Sequence, residues 1–212
     1  GKVILLILIQ IGGLGVIACG TLFLFLLNKK ITIQERVVLK EAYGADRLGG
    51  IVRLVRKVIL GTFAVEGAGA VLYAFQFIPE YGLVRGIGYS VFHAVSAFCN
   101  AGIDILGSSS LSCYVTNPVI NVTTILLIIL SGIGFTVWFD VIDNNRRLVR
   151  GEVPKRWWFT RLRLQSKLAI MMTVLLILAG TVFVFLAEYG NPDTIGELSM
   201  GQKLMASMFQ SV

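Results

Sequence analysis

The residues best suited to chemistry in this chain are four consecutive ones, Cys99, Asn100, Ala101 and Gly102, which follow a short apolar stretch over 86–98. The stretch is too short to cross a hydrocarbon core of ~30 Å, so we expect it to enter the membrane and return to the same side. Backbone carbonyls aimed at one axis replace the hydration shell of a cation, and glycine supplies the unusual dihedral angles required. We therefore predict a pore helix over 86–98 and a filter strand at the four residues. A plain re-entrant or interfacial amphipathic hairpin is the alternative.

Two carboxylates and one imidazole lie close to this stretch or within an apolar run. Glu66 lies inside a long apolar run, where a carboxylate is costly unless it is paired or reached by water. We expect it either to brace a neighbouring helix or to face a water-filled cavity. Asp104, just beyond the predicted filter, either raises the local cation concentration at its mouth or is a solvated loop acid. His93 is the one histidine of the sequence, so we interpret it as a core residue rather than a ligand.

The composition excludes most soluble classes of protein. Of the 212 residues 56% are apolar and 15% are charged, against about 25% charged residues in soluble domains. Three cysteines without a CxxC spacing indicate neither a zinc site nor a disulfide framework. A hydrolase would need a nucleophile with a base at membrane depth, and His93 and Ser96 without a GxSxG motif do not supply that pattern. We therefore predict that the protein is not an enzyme.

Long apolar runs predict membrane-spanning helices, because about 20 helical residues cross a bilayer core and the backbone in lipid must satisfy its own hydrogen bonds. The four runs are 3–27, 58–78, 119–139 and 168–187. Sixteen of the 19 basic residues lie between these runs, in two blocks at 28–57 and 140–167. The positive-inside rule places both blocks in the cytoplasm, which accounts for the net charge of +7 without a nucleic-acid partner.

The chain also contains an internal repeat. Ser-Val-Phe-His-Ala-Val at 90–95 resembles Ser-Met-Phe-Gln-Ser-Val at 207–212, and Glu-Tyr-Gly at 80–82 matches 188–190. Each unit begins and ends on the cytoplasmic side, so the copies are parallel, and we predict an all-α membrane protein of repeated helix–pore-loop–helix units. Its predicted segments are the second helix of repeat 1 (1–27), a basic cytoplasmic linker (28–57), repeat 2 (58–140, with helices 58–78 and 118–140), a second basic linker (141–167), and the first helix and start of the pore helix of repeat 3 (168–212).

Three motifs carry a resemblance to a known family: SAFCNAGIDIL at 96–106, QIGGLG at 10–15 and SGIGF at 131–135. Over essentially its whole length the chain resembles the Trk/Ktr/HKT superfamily of potassium transporters, and it is most similar to the membrane subunit of bacterial Ktr (KtrB-type). The resemblance implies a four-repeat chain that imitates a tetrameric potassium channel, of which this sequence is a fragment. It assigns the second filter wall to 99–102, with Gly102 as its central glycine.

The same resemblance implies the cargo, the partners and the location of the protein. K+ is the transported ion, and no covalent cofactor is expected. The protein would be a homodimer with several membrane spans in the bacterial plasma membrane. A cytosolic ring of regulatory subunits would dock beneath it, and nucleotide would bind only to that ring. The second basic block would either contribute to this docking or meet anionic lipid headgroups.

The favoured function is therefore potassium transport through a filter of backbone carbonyls. The alternative function is that of a secondary transporter of another fold, with a binding site at the bilayer midplane. Such a transporter would need inverted repeats, whereas the copies in this chain are parallel. The glycines at 12–15 and 132–134 are interpreted as positions of close helix packing, with a hinge as the less favoured interpretation.

Overall fold

The protein is described by a computed structural model, which covers residues 1–15, 37, 51–107, 110–152 and 154–212. Within these ranges the regular structure is entirely helical, as predicted. The helices are α1 (Lys2–Leu14), α2 (Ile51–Tyr81), α3 (Leu83–Phe98), α4 (Pro118–Ile133), α5 (Phe135–Val149), α6 (Leu164–Glu188) and α7 (Met200–Ser211). Short 3₁₀ turns lie at Ser110–Tyr114, Lys155–Trp157 and Phe159–Arg161. The predictions for 16–36 and 38–50, which include part of the first apolar run and most of the first basic block, lie outside the described residues.

Two helices of the described ranges, α2 and α6, are long and apolar enough to cross a membrane. They have 31 and 25 residues, which correspond to about 46 and 38 Å of helix against a core of ~30 Å. They include the apolar runs 58–78 and 168–187 and extend past them, because a helix continues through polar residues where the headgroups begin. α4 and α5 make a third span only if they are taken together as one bent helix.

The described residues divide into two compact units, Gly1–Ser110 and Leu111–Val212. In the first unit, α2 and α3 form a tight hairpin around the turn at Gly82. Gly82 has a φ of 78°, a conformation that residues with a side chain rarely adopt. Gly86, one turn later, lies directly on α2, since a Cβ there would come within 2.6 Å of the Ile78 Cα. These two glycines allow the short helix α3 to pack back along the long one.

An aromatic core joins α2 and α3. Tyr73 and Phe77 of α2 are stacked with ring centroids 5.7 Å apart, and His93 of α3 lies 5.4 Å from the Phe77 ring. His93 Nδ1 donates a hydrogen bond of 2.7 Å to the Tyr89 carbonyl of its own helix. Among the described residues, its buried Nε2 has no hydrogen-bond partner. His93 is therefore a residue of the aromatic core, packed between the two helices.

In the second unit, the predicted helix 118–140 is two helices. α4 and α5 meet at Gly134 and are bent by 98°. Gly134 has φ 90° and ψ 150°, a backbone conformation that is almost restricted to glycine, and this explains why the helix breaks there. The indole N–H of Trp138 donates to the Leu130 carbonyl at 2.7 Å, which satisfies one of the carbonyls at the end of α4. The prediction of a single helix over 118–140 is thus corrected. Apolar character continues through 119–139, but Gly134 ends the helical conformation.

The second basic linker, 141–167, is ordered against α5. Asn144 donates from Nδ2 to the Trp158 carbonyl at 2.7 Å, and the Trp158 indole donates to Asn145 Oδ1 at 2.9 Å. The backbone N–H of Arg163 donates to Asp140 Oδ2 at 2.8 Å. These hydrogen bonds hold the part of the linker that follows α5 against that helix, before α6 begins. The predicted linker therefore consists largely of the end of α5 and of 3₁₀ turns.

Replacement of Gly134 by alanine tests the cause of the break. Gly134→Ala should destabilise the full-length protein by about 1–3 kcal/mol, because a side chain is strained at this backbone conformation. Thermal unfolding of the purified protein in detergent, followed by tryptophan fluorescence, measures the loss.

The matched control is Gly132→Ala, two residues earlier in α4. Gly132 is helical and a Cβ there meets nothing within 4 Å, so alanine should leave the stability unchanged or raise it by about 0.5–1 kcal/mol. Equal losses for the two variants would contradict a special backbone at Gly134.

Candidate functional site

The predicted filter residues form a loop directly after α3, which we call the 99–103 loop. Helix α3, Leu83–Phe98, covers the short helix predicted over 86–98. Cys99 caps it, donating from its backbone N–H to the Val95 carbonyl at 2.8 Å, and the Asn100 N–H donates to Ala97 at 3.2 Å. The chain then leaves the helix at once. Since Asn100 and Gly102 are both exposed, the loop presents its backbone at the surface of the first unit.

The backbone of this loop changes hand from residue to residue. Cys99 has a φ of −79°, Asn100 of +52° and Gly102 of +63°, while Ala101 is outside the positive region. A left-handed conformation is uncommon for asparagine and readily available to glycine.

Ser96 ties the loop to the last turn of α3. Its hydroxyl donates to the Ile103 carbonyl at 2.5 Å and accepts from the Ile103 N–H at 3.0 Å. Its own carbonyl accepts from the Ala101 N–H at 2.9 Å. Ser96 is 3% exposed, so these bonds are shielded from competing water. The sequence contained the signal, a hydroxyl in an otherwise apolar helical turn before the loop, but its partners could not be read from it.

Glu66 lies behind the same loop. It is in the middle of α2 and 4% exposed. Its Oε1 accepts a hydrogen bond of 3.0 Å from Gln10 Nε2 of α1, and the Cys99 Sγ lies 3.8 Å from the same oxygen as a donor. Gly13 of α1 faces Cys99 so closely that a Cβ on Gly13 would overlap the thiol. The structure therefore brings Glu66 and Cys99 together with two α1 residues, a contact that sequence reasoning did not predict.

Asp104 lies at the other end of the loop and is half-buried. The Ser110 side chain donates to it, and this bond, with the Leu106 N–H at 3.1 Å, holds the pKa of the Asp104 carboxyl below its ordinary value. A carboxyl with a lowered pKa remains ionised throughout the physiological range, and loses its charge only as the pH falls through that lowered value. Asp104 therefore places a fixed negative charge beside the loop. It does not contact Glu66 in any described hydrogen bond.

Resident metal ligands are absent from the part of the chain that the structure describes: no group of three or more His, Cys, Asp or Glu side chains is placed to hold an ion. The oxygen atoms of the 99–103 loop belong to its backbone carbonyls and to the Asn100 amide, and the Ile103 carbonyl among them accepts from Ser96. Such an arrangement suits transient coordination of a weakly held cation better than permanent binding.

The family of the chain is shown by comparison with known proteins. The TrkH family, described as a cation transport protein, matches residues 1–212, the whole chain. The chain belongs to the TrkH family. This confirms the predicted membership of the potassium transporter superfamily, and it makes the chain part of a membrane protein, in agreement with its apolar helices.

Individual known proteins are also similar to this chain over its full length. Ktr system potassium uptake protein B is 38% identical in Bacillus subtilis over 212 residues and 35% identical in Vibrio alginolyticus over 211 residues. Potassium/sodium uptake protein NtpJ of Enterococcus hirae is 35% identical over 212 residues. Each match covers 100% of this chain but only 44–45% of the relative. The chain thus spans less than half the length of the curated relatives it matches.

Removal of the Ser96 hydroxyl tests how the loop is held. In a full-length protein whose other cysteines are replaced, Ser96→Ala should raise the labelling rate of Cys99 by a thiol reagent about fivefold, the equivalent of roughly 1 kcal/mol of lost hydrogen bonding. The reason is that Ile103 loses both bonds to the hydroxyl and the loop opens more often. Labelling kinetics in membranes measure the change.

Ser90→Ala is the matched control. Ser90 is buried in the same helix, and its hydroxyl donates to the Gly86 carbonyl at 2.7 Å, within α3 and away from the loop. This variant should leave the Cys99 labelling rate unchanged. An unchanged rate in Ser96→Ala would show that the hydroxyl does not restrain the loop.

Proposed function

We propose that this chain is part of a potassium-uptake protein and that the 99–103 loop supplies one wall of a filter of backbone carbonyls. One observation supports the proposal: the 99–103 loop, which is not helical and is hydrogen-bonded to Ser96, lies at the end of the short buried helix α3. In a membrane, backbone of this kind is tolerated only where protein buries it or water reaches it. An ion pathway provides such water.

The alternating backbone supports coordination by carbonyls rather than by side chains. Asn100 and Gly102 have positive φ, and the N–H groups of Ala101 and Ile103 are bonded to Ser96; we propose that the carbonyl oxygens of 99–102 face away from Ser96, towards the ion. Oxygens arranged in this way replace the water that a cation loses when it enters the filter. The Asn100 amide is more flexible than the backbone and is a poorer rigid ligand. No covalent bond is made or broken in this process, so the function needs no catalytic residue.

The names of the relatives support a choice of ion. Two of those described above are named potassium uptake proteins, and a third is named a potassium/sodium uptake protein. We propose K+ as the cargo of this protein, with Na+ as the competing ion to be tested. The fixed charge of Asp104 beside the loop would raise the local concentration of either cation at the mouth.

Local features of the second unit support the repeated pore-loop architecture. α7, like α3, is a short helix that follows a long apolar one. Ser90 and Ser207, which correspond in the sequence repeat, are 1% and 0% exposed, and both donate to the carbonyl four residues earlier. Ser211 of α7 donates to the Ile177 carbonyl of α6 at 2.8 Å, so the two helices of this hairpin are joined. We propose that α6 and α7 begin a third repeat.

The partners of the whole protein are also proposals. The relatives named as parts of a Ktr system support a multi-component assembly. We propose a homodimer in the plasma membrane and a cytosolic ring of nucleotide-binding regulatory subunits, which would dock near the second basic linker. Nucleotide would then act from the ring, without a site on this chain.

Replacement of the central glycine tests the proposed filter. Gly102→Ser in the full-length protein should reduce the preference for K+ over Na+ about tenfold, because straining or displacing one carbonyl changes K+ binding by about 1.4 kcal/mol. Uptake in cells that lack other potassium-uptake systems, with Na+ as competitor and corrected for the amount of protein in the membrane, measures the preference.

Gly88→Ser on α3 is the control, because Gly88 is helical and a Cβ there meets nothing within 4 Å. Its ion preference should equal that of the unmodified protein. A Gly102→Ser variant with the original preference would contradict the filter.

A further inference from the structure

We propose that Glu66 is a positioning residue for the filter wall, acting through Cys99 and anchored by Gln10. This inference rests on the proposed function of the 99–103 loop. It assigns a role to a carboxylate that the transport mechanism itself does not use, and it links the loop to α1 and α2 rather than to α3 alone.

One carboxylate oxygen of Glu66 contacts both Gln10 and Cys99. Glu66 Oε1 accepts from Gln10 Nε2 at 3.0 Å and faces the Cys99 Sγ donor at 3.8 Å. The three residues lie on α1, on α2 and at the end of α3. A single acceptor therefore joins both neighbouring helices to the first residue of the loop.

Cys99 is also held by close packing against α1. Gly13 has no side chain, and the Cys99 side chain occupies the space that one would fill, since a Cβ on Gly13 would also lie 3.1 Å from the Cys99 Cα. Cys99 and Ala101 pack against the buried cluster of Ile9, Phe92 and Val95. The loop residues on either side of Asn100 are thus held by packing as well as by hydrogen bonds.

The backbone conformation of Asn100 needs support from its surroundings. Asn100 has a φ of +52°, which costs free energy for a residue with a side chain and persists only where the surroundings impose it. Ser96 holds the chain after Asn100, at Ala101 and Ile103. Glu66 holds the chain before it, at Cys99. The two restraints lie on either side of the strained residue.

The Glu66 carboxylate lies within a spanning helix, where an acidic group costs free energy. An acidic side chain within a spanning helix is expensive and persists where it is paired or functional. The brace is also specific to this wall. When 11–15 is matched to 130–134, Gln10 corresponds to Ile129; when 80–82 is matched to 188–190, Glu66 corresponds to Val174, and both of these residues are apolar. A general requirement of the hairpin would have placed polar residues in both copies.

The test compares four variants of the full-length protein by K+ preference over Na+, corrected for the amount of protein in the membrane. Glu66→Ala should lower the preference about threefold to tenfold, as expected for the loss of one hydrogen bond. Glu66→Gln should restore it to within about twofold, since the amide oxygen still accepts from both donors. Gln10→Ala should give an intermediate loss, and combining it with Glu66→Ala should add nothing further.

Glu80→Ala is the control on the same helix, because Glu80 is exposed, and it should keep the original preference. A Glu66→Ala protein that reaches the membrane in lower amount but keeps its preference would overturn the proposal, because a merely structural residue behaves in that way. A Glu66→Gln variant as impaired as Glu66→Ala would also overturn it.

A second pair of variants decides the matter if Glu66→Ala does not reach the membrane. Cys99→Ala removes the thiol donor and should lower the preference, whereas Cys113→Ala, at an exposed cysteine, should not. An unchanged preference in Cys99→Ala would overturn the brace. Gly102→Ser, measured in parallel, separates the two proposals: if it loses preference and the Glu66 and Cys99 variants do not, the filter stands and the brace fails.

Discussion

The hydrogen bonds of Ser96 are the interaction on which the candidate site depends. Backbone groups in a membrane must find partners within the protein unless water reaches them. By accepting from the Ile103 N–H, donating to the Ile103 carbonyl and accepting from the Ala101 N–H, Ser96 satisfies three groups of a segment that has no helix or sheet to do so. These bonds fix the path of the chain at both Ala101 and Ile103, so that the loop keeps its shape without a helix or sheet around it.

The same constraint applies at the break between α4 and α5. At Gly134 the break between α4 and α5 leaves carbonyls at the end of a helix, and the Trp138 indole satisfies the one at Leu130. In both places a side chain close in sequence supplies the missing partner. The two breaks differ in their surroundings. The 99–103 loop is also held through its first residue, Cys99, whose thiol contacts Glu66 of α2. A precise binding geometry requires such a second layer of contacts.

Hydropathy predicted the two long helices α2 and α6, because burial in lipid depends on composition, which is a local property. The runs 58–78 and 168–187 lie inside α2 and α6. Hydropathy could not show the break at Gly134, because the residues on both sides are apolar. The SGIGF motif contained the signal, but a glycine pair suits close packing as well as a change of direction, and packing was the favoured interpretation.

The contacts of the candidate site were harder to predict than its position. The short apolar stretch and Gly102 marked the loop, but the pairing of Gln10 with Glu66 joins residues 56 positions apart and depends on how α1 meets α2. The sequence alone indicates that Glu66 needs either a partner on a neighbouring helix or contact with water, and it does not decide between the two. Gly13 was interpreted as a packing residue, and the structure identifies what packs there: the side chain of Cys99.

The most direct test of the carbonyl filter is to locate the ion. Crystals of the full-length protein soaked in Rb+ or Tl+ would reveal bound cations by anomalous diffraction. A peak within coordination distance of the backbone carbonyl oxygens at 99–102, without side-chain ligands, is the predicted result. Cation peaks elsewhere in the protein, with these carbonyls turned towards protein or lipid, would contradict the proposed function.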